Sequence, residues 1–600
     1  MASPPPDNLL RARRRLDELP FYTLVDDWAW HESAGKWALC FALAVVPAGL
    51  IPAKTTWFML ADSDYPWGDI EIHPAKAGGI AYTFPHQSYN AVGKTDLPWR
   101  DGKICAQTPM RYSRRRAYDI EPYTIDERLQ WCIIRAREWL EAAAAGQLNP
   151  MGEPFELPDF PRELIYSGLG FIEDAKSFQF WHEQTALHGV AVIARPEGDI
   201  QWAVITSFSD SRDRNIRSVK YGSMLSPRSR VEANAMWLRL PGIPVLPPWQ
   251  APATFGELRA VMTEHGVDFN DLVLSLAPRF RNSKRTLLLL GFPIPATVGG
   301  EGHRYHWQAL RLPVLTHGKL NGYRPTEANY ARNDILNILT DKVHIDWVIS
   351  SNWDEEQIRT RGRASVHLTG AKILLLGCGA VGSSVAELLI REGCNQLLVV
   401  DGDILDTGNL CRHTLSLNHI YTHKASSLAA RLNNLSPHAA VRCILLKAHD
   451  CSEAEWQQMA ECSIIIDCTG DDRMVHQLSA FPWTEDKLFI SISLGLHARR
   501  LFAFSVLGRK FPHDAFVEAM TPWLEKELQE NSGLELPRER IGCWHPVFPA
   551  CADDIWMMSA VSMKCIDAWS ANPPHAPCMR VYEQAHQDGF PLGVRLVDSP

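Results

Sequence analysis

Three glycines, Gly377, Gly379 and Gly382, follow the apolar run Ile373–Leu376 and precede an apolar-periodic run, Val385–Ile390. Residues without a Cβ let the backbone approach a phosphate closely, and the helix that follows turns its free N–H groups and positive dipole end toward the anion. That is the chemistry of a nucleotide cradle. Asp401 comes about 20 residues after the last glycine, behind a second apolar run, Leu397–Val400, where an acid can accept ribose hydroxyls. Up to this point the spacing suits a nicotinamide enzyme equally well.

The text after Asp401 separates the two readings. It runs DGDILDTGNLCRH, then HIYTHKASSLAARL, then SIIIDCTGDDR. A dinucleotide fold needs only the single acid. A site that cuts ATP between its phosphates needs cations for the leaving pyrophosphate and a carboxylate for magnesium, and Arg412, Lys424 and Asp467 would supply them. In order and spacing, residues ~370–600 resemble the adenylation domain of ubiquitin-activating and ThiF/MoeB-type enzymes. Asp401, Asp403, Asn409, Arg412, Lys424 and Asp467 fall where that family's pattern has its ATP and Mg²⁺ residues. The resemblance implies Asp401 on the ribose, Asn409, Arg412 and Lys424 on the phosphates, and Asp467 on Mg²⁺. Two positions depart from it: His413 stands where a Gln is common, and Asp471 where an Asn is common.

Composition bounds what surrounds this unit. Six hundred residues suggest three or four domains, and 46% hydrophobic with 22% charged residues is the make-up of globular domains rather than disorder. A net charge of −9 argues against nucleic acid as the main partner, although Arg111–Arg116 (RYSRRR) forms a local basic patch. The apolar stretch Trp37–Ala53 contains Pro47 and Pro52 and is short for a membrane span, and the N-terminal residues lack the apolar core of a signal peptide. The expected location is the cytoplasm, with no membrane partner. Fourteen cysteines without a C-x-x-C pair make a paired-cysteine zinc site unexpected, and a reducing cytosol would leave them as thiols.

Cys105 is the second candidate for chemistry. It lies in RDGKICAQTP, behind a basic helix over Asn8–Leu19 and extended runs around Lys36–Val46, Thr55–Ala61, Ile70–His73 and Ile80–Phe84, and ahead of one long helix over Ile125–Leu148 that stops at Gly146. The order helix, antiparallel meander, cysteine loop, helix resembles the ubiquitin-conjugating fold around its active cysteine. The His-Pro-Asn triplet usual in that family is absent, and His86 and Asn90 in FPHQSYN are the available substitutes for the group that stabilises the oxyanion or aids the attacking amine.

Between these ends, Pro150–Leu164 reads as a Pro-rich linker, and residues ~165–340 show strand-like runs at Gly189–Ala194, Ile200–Phe208, Arg285–Phe292 and His306–Leu315 with helices at Phe255–His265 and Glu327–Leu339. No catalytic spacing appears there. His182, His188, His303 and His306 lack partners at ligand spacing and read as structural. Near the C-terminus, the stretch GCWHPVFPACADDIW offers a further thiol before a helix: Cys543 in a loop, or Cys551 at the helix start, where the dipole favours a thiolate. Resemblance to autophagy-type activating enzymes favours Cys543. Cys468 reads as packed beside the magnesium acid.

The expected fold is α/β and α+β multidomain: residues 1–160 conjugating-enzyme-like, 161–365 an intermediate α+β domain, 366–600 a Rossmann-like adenylation domain. An activating domain fused behind a conjugating domain resembles the fused enzymes of bacterial antiphage CBASS operons. That resemblance implies ATP and Mg²⁺ as cofactors, a protein substrate with a free C-terminus, namely a cGAS/DncV-like nucleotidyltransferase, a target protein amine, and a homodimer formed through the adenylation domains. Two other classes stay open: an NAD(P)-dependent oxidoreductase, and a nucleotide-binding scaffold without turnover.

Overall fold

The computed structural model describes residues 4–105, 121–161, 168–196, 202–225, 230–283, 286–320, 322–447, 450–538 and 547–597. Two sequence features, Cys543 and the basic patch Arg111–Arg116, lie outside them. The chain divides into two compact units, one formed mainly by residues 1–194, 201–218 and 231–352, the other by residues 353–600 with the short segments 195–200 and 219–230.

In the first unit, helix α1 (Asp7–Leu16) presents Leu9, Ala12 and Leu16 on one face, all fully buried. Four strands follow in simple antiparallel order, β1 (Tyr22–His31), β2 (Lys36–Ala44), β3 (Lys54–Ala61) and β4 (Ile70–Pro74). Helix α2 (Arg128–Ala144) lays Leu129, Ile133, Ala136 and Leu140 into the same core as Phe41, Trp57 and Met59. The expected helix, meander, cysteine loop and second helix are present, with two differences. β1 is a strand that the sequence reading left out, because its outward face carries Asp26, Asp27 and other exposed residues that blur the alternation. Ile80–Phe84 is irregular: the Asn90 amide nitrogen donates to the carbonyls of Ile80 and Tyr82, taking up acceptors that a strand would offer to a neighbour.

The rest of this unit is an α+β body. Its strands are β5 (Gly168–Phe171), β6 (His188–Arg195), β7 (Trp202–Asp210), β8 (Asn215–Ser218), β9 (Arg230–Arg239), β10 (Thr286–Pro295), β11 (Gly302–Leu312) and β12 (Asp346–Asn352). They run in the order β5-β12-β11-β10-β9-β6-β7-β8, and a further β5–β7 pairing closes seven of them into a ring. Helix α3 is Ala175–Glu183, and α4 (Phe255–Glu264) and α5 (Phe269–Leu276) cover one sheet face through Phe255, Leu258 and Phe269 against Met236, Leu238 and Leu290. Alternation puts Trp237 and Trp307 on the other face, where they pack with Trp181 and Phe208. Within that aromatic cluster the buried Glu173 accepts hydrogen bonds from the indoles of Trp181 and Trp307 (both 2.9 Å) and pairs with Arg217 at 2.5 Å. The helix expected over Glu327–Leu339 is α6 (Glu327–Asn333), continued by one π-helical turn. Buried His306 contacts Gln308 and is held down to about 4 by burial, in line with a structural role.

The second unit opens with two short helices, α7 (Glu355–Ile358) and α8 (Val366–Thr369). It then alternates β13 (Lys372–Leu376), α9 (Ala380–Glu392), β14 (Gln396–Val400), α10 (Lys424–Asn433), β15 (Ala440–Ile444), α11 (Glu453–Ala460), β16 (Ile464–Asp467), α12 (Asp472–Ala480) and β17 (Lys487–Leu494). Alternation of this kind gives a parallel sheet with helices on its faces. The order is β15-β14-β13-β16-β17, all parallel, and β18 (Arg500–Gly508), β19 (Cys578–Gln587) and β20 (Phe590–Val597) extend it antiparallel. α13 (His513–Glu530) and α14 (Ala552–Ala571) complete the unit. Among the described residues, no helix is long and apolar enough to cross a membrane.

Candidate active site

The strand order of the second unit reverses at β13, which pairs with β14 on one side and β16 on the other. Ligands of doubly wound sheets bind in the crevice at such a reversal, beyond the carboxyl ends of the strands. Register brings Leu376 opposite both Val400 and Asp467. The glycine loop, Asp401 and Asp467 therefore leave the sheet side by side.

Gly377 holds φ at +84°, and a Cβ there would lie 3.1 Å from the backbone of Cys468 and Thr469. At Gly382, inside α9, a Cβ would lie 1.9 Å from the Gly377 carbonyl oxygen. One glycine makes the turn, and the other lets the helix close against it. Gly379 is the N-cap of α9 and faces a cleft of about 210 Å³. The cleft is also lined by Asp401, Asp403, Lys424, Lys447 and Thr469.

Asp401 Oδ2 accepts from the Cys378 amide (2.6 Å) and Oδ1 from the Asp403 amide (2.7 Å). Burial pushes its carboxyl above the ordinary value, against the pull of these two amides. The chain leaves β14, runs through residues 403–423 and returns: the Lys424 amide donates to the Asp403 carbonyl (2.9 Å). That loop places Lys424 at the start of α10 with its ammonium 3.6 Å from the Asp403 carboxylate, while Lys447 reaches the same carboxylate at 3.2 Å. Sequence reasoning did not find Lys447. It follows β15 with no motif around it, and only the parallel pairing of β14 and β15 brings it to the cleft.

Not every sequence candidate lines this cleft. Asn409 Oδ1 accepts from the Asp406 amide (3.1 Å) in a capping turn, and Arg412 donates to the Phe548 carbonyl, its guanidinium 5.9 Å from the Phe548 ring centroid. Asp467 is buried and points into the fold. Its Oδ1 accepts from the Thr469 amide (3.0 Å) and hydroxyl (2.6 Å), and its Oδ2 accepts from the Ser491 hydroxyl (2.8 Å). Burial raises its carboxyl, and among the described residues it has no ion pair. A buried carboxylate with hydroxyl partners and no cation is a donor set that fits a hard divalent ion, which takes one or two protein carboxylates and completes its shell with phosphate oxygens and water.

His413, where the resemblance leads one to expect Gln, hydrogen-bonds the glycine loop. Its Nε2 donates to the Cys378 carbonyl (2.7 Å), and Nδ1 accepts from the Leu415 amide (3.0 Å). Burial holds the imidazole down at about 4, so it is neutral with its proton on Nε2. Asp471 caps α12 and pairs with Arg473 at 2.9 Å. Cys468 lines the cleft, but burial first, and then the neighbouring Asp467 charge, push its thiol far up, which suits packing rather than nucleophilic work. Cys551 is exposed at the N-cap of α14, and its sulfur lies within 4.8 Å of carboxylate oxygens of Asp553 and Asp554.

Residues 355–493 match the ThiF family, and residues 146–353 match the Cap2 central linker domain. An ATP-dependent ubiquitin transferase-like protein Cap2 from Enterobacter hormaechei subsp. hoffmannii is 35% identical over 547 residues, which cover 90% of either chain. The chain belongs to the Cap2 family. It is thus a member of a family of ATP-dependent ubiquitin transferase-like enzymes, and the oxidoreductase and inert-scaffold readings are set aside. A Cap2 protein of Escherichia coli is 36% identical over 115 residues, 18% of this chain and 19% of that protein. The molybdopterin-synthase adenylyltransferase of Salmonella typhimurium is 28% identical over 125 residues, 21% of this chain and 49% of that enzyme.

The first unit holds the other candidate. Cys105 is exposed and lines a cavity of about 660 Å³ with His86, Ser88, Lys103, Glu156 and Asp159. The strand-like pairing of Gln87 with Ile104 puts His86 opposite Cys105, and the Cys105 amide donates to the His86 carbonyl (2.8 Å). Of the two residues offered as substitutes for the missing triplet, only His86 lines the cavity. Asn90 is buried, its amide occupied by the Ile80 and Tyr82 carbonyls and by Arg100 Nε (3.1 Å). Its lock on the loop leaves no donor for an oxyanion.

Proposed function

We propose that the chain activates the C-terminal carboxylate of a protein with ATP and passes the acyl group, through two thiols, to an amine. The observation that carries the first step is the cleft at the strand reversal, where the glycine loop, Asp401, Asp403, Lys424 and Lys447 converge. In this reading the first turn of α9 and the two lysines hold the phosphates, and Asp401 holds the ribose. Asp403 fixes both ammonium groups. Asn409 and Arg412 would join the phosphates only by leaving the partners described above. Asp467 would hold Mg²⁺, which when bound offsets charge on the phosphates, only by turning from its Thr469 and Ser491 partners toward the cleft.

The steps balance simply. The carboxylate attacks the α-phosphorus, a P–O bond forms, and pyrophosphate leaves. A thiolate displaces AMP from the mixed anhydride and forms a thioester. The Cys105 thiolate takes the acyl group by exchange, and an amine then displaces Cys105, giving an amide and a thiol. Each hard step is split into easier ones. For the first thiol we assign Cys543. The two carboxylates beside Cys551 make a negatively charged setting for an anionic nucleophile and weigh against the alternative. Residues 1–160, 161–365 and 366–600 would then be conjugating-enzyme-like, connecting and activating domains. Membership in the Cap2 family supports CBASS antiphage defence as the setting, a cGAS/DncV-like nucleotidyltransferase as the source of the carboxylate, and a homodimer through the adenylation domains.

The test is intact-mass measurement of the enzyme with ATP, Mg²⁺ and a purified cGAS/DncV-like nucleotidyltransferase, without reductant. Reducible adducts should appear on both thiols. Cys543→Ala should abolish both, and Cys551→Ala should leave both in place. Cys105→Ser should trap an oxygen ester that survives reductant. Wild-type conjugate from Cys105→Ala would overturn the conjugating role.

A further inference from the structure

The cavity at Cys105 holds a second pair of groups that the thioester chemistry above does not use. His86 Nδ1 lies 3.0 Å from Glu156 Oε2, and both side chains line the same cavity as Cys105. They come from distant segments. His86 belongs to the segment that pairs, through Gln87, with Ile104, while Glu156 belongs to the Pro-rich stretch after α2. His86 also holds φ at +56°, a left-handed conformation that is unfavourable for a non-glycine residue and persists where the surroundings fix it. Three contacts fix it: the His86 carbonyl accepts from the Cys105 amide, the Ser88 amide donates to the Lys103 carbonyl (2.9 Å), and the Gln87 side-chain amide donates to the Gly102 carbonyl (2.9 Å).

We propose that His86 is the general base for the incoming amine, and that Glu156 is a positioning residue that fixes its tautomer. With a proton on Nδ1, 3.0 Å from Glu156 Oε2, Nε2 carries a lone pair. An ammonium from a target side chain reaches the cavity in its charged form and first gives one proton to His86 Nε2, which passes it to water, leaving a neutral amine and a neutral imidazole. The amine nitrogen attacks the thioester carbonyl, the C–N bond forms and the C–S bond breaks. The thiolate of Cys105 leaves, and the proton from nitrogen passes to His86 Nε2. The product is an amide, a thiolate and an imidazolium, which returns its proton to the thiolate or to water. Among the described residues, the remaining charged or titratable groups lining the cavity are Lys103 and Arg128 as cations, Asp69, Glu121 and Asp159 as carboxylates, and the Cys132 thiol. Lys103 is paired with Glu71 (2.8 Å) and Arg128 with Glu121 (2.7 Å), so each of these cations already has a carboxylate partner. Among the described residues lining the cavity, the carboxylates of Asp69 and Asp159 are the charges left without an ion-pair partner. This assignment rests on the reading of Cys105 as the conjugating thiol.

The test separates the two. The full-length enzyme is acylated with the 2-mercaptoethanesulfonate thioester of N-acetylglycine, a probe for a C-terminal acyl group, with the Cys105→Ala protein as the blank for the other thiols. Discharge to Nα-acetyl-lysine is then followed from pH 5.5 to 9 by intact mass. Wild type should discharge with an acid limb, as protonation of an imidazole removes the base. His86→Gln should load to the wild-type level and discharge at least 10²-fold more slowly, and its rate relative to wild type should rise toward pH 5.5 as the imidazole is protonated, since ionisation of the lysine amine gives both proteins the same rise of rate with pH. Glu156→Gln should keep the limb and slow discharge about 10-fold, the loss typical of a group that orients another. Equal rates and profiles for wild type and His86→Gln would overturn the base assignment while leaving Cys105 in its role. Should His86→Gln fail to load, a Glu156→Gln protein that discharges at the wild-type rate overturns it instead. Acyl transfer undiminished in the Cys105→Ala protein would overturn the conjugating reading itself.

Discussion

Acid should loosen the nucleotide cradle through His413, and by an amount that the structure allows one to work out. The ring is buried, donates from Nε2 to the Cys378 carbonyl and accepts at Nδ1 from the Leu415 amide, an arrangement open only to the neutral imidazole. Its value falls from 6.5 to about 4 on folding. Below pH 6.5 the unfolded chain binds a proton that the folded ring refuses, so stability drops as the pH falls from 6.5 toward 4 and levels off beyond. At about 1.4 kcal/mol per unit, the full loss is about 3 kcal/mol, and about 2 kcal/mol of it should be felt by pH 5. His413→Gln keeps both contacts, with the amide nitrogen as donor and the amide oxygen as acceptor, and removes the titration. Urea unfolding of both full-length proteins at pH 7.5 and 5.0, followed by hydrogen exchange of peptides from residues 372–400, gives the difference of differences. Asp401, Asp467 and His306 also titrate abnormally, but they are present in both proteins and cancel. The Gln protein should lose about 2 kcal/mol less than wild type between the two pH values. Parallel losses would show that His413 is not the neutral hydrogen-bonded group described here.

Three further outcomes follow from the same geometry. Gly382→Ala puts a Cβ 1.9 Å from the Gly377 carbonyl, so α9 must back away from the loop; overpacking of this kind costs about 1–3 kcal/mol, and ATP affinity measured by calorimetry should fall at least tenfold. Asp467→Ala should abolish carboxylate-dependent ATP–pyrophosphate exchange while the protein still folds, as judged by circular dichroism; unchanged exchange would remove Asp467 from the Mg²⁺ role. Glu173→Ala strands two buried indole N–H groups and Arg217 and should destabilise the first unit by about 3–5 kcal/mol in thermal unfolding, with pyrophosphate exchange retained at low temperature.

The sequence by itself determined the local chemistry of the nucleotide end. A strand, a glycine turn and a helix are specified within a few residues of one another, since left-handed turns and close helix contacts each demand glycine locally, and the second strand ends on Asp401 for the same reason of short range. The exposed cysteine loop between a meander and a helix was legible for a similar reason, since each element there carries its own period. Strand β1 was not, because its solvent face hides the alternation. The seven-stranded ring was not either: closure between β5 and β7 is a pairing of distant segments that no local pattern encodes. Only the tertiary structure showed that Lys447 joins Lys424 at Asp403, that Asn409 and Arg412 turn to other partners, and that Asp467 is held by Thr469 and Ser491. It likewise separated His86 from Asn90, which the sequence offered as equals, because which side chain faces the cavity depends on the bridge that pairs Gln87 with Ile104 between two irregular segments and on the contacts that bury Asn90. Spacing fixes which residues can share a turn, whereas the direction in which a side chain points is fixed by everything packed around it.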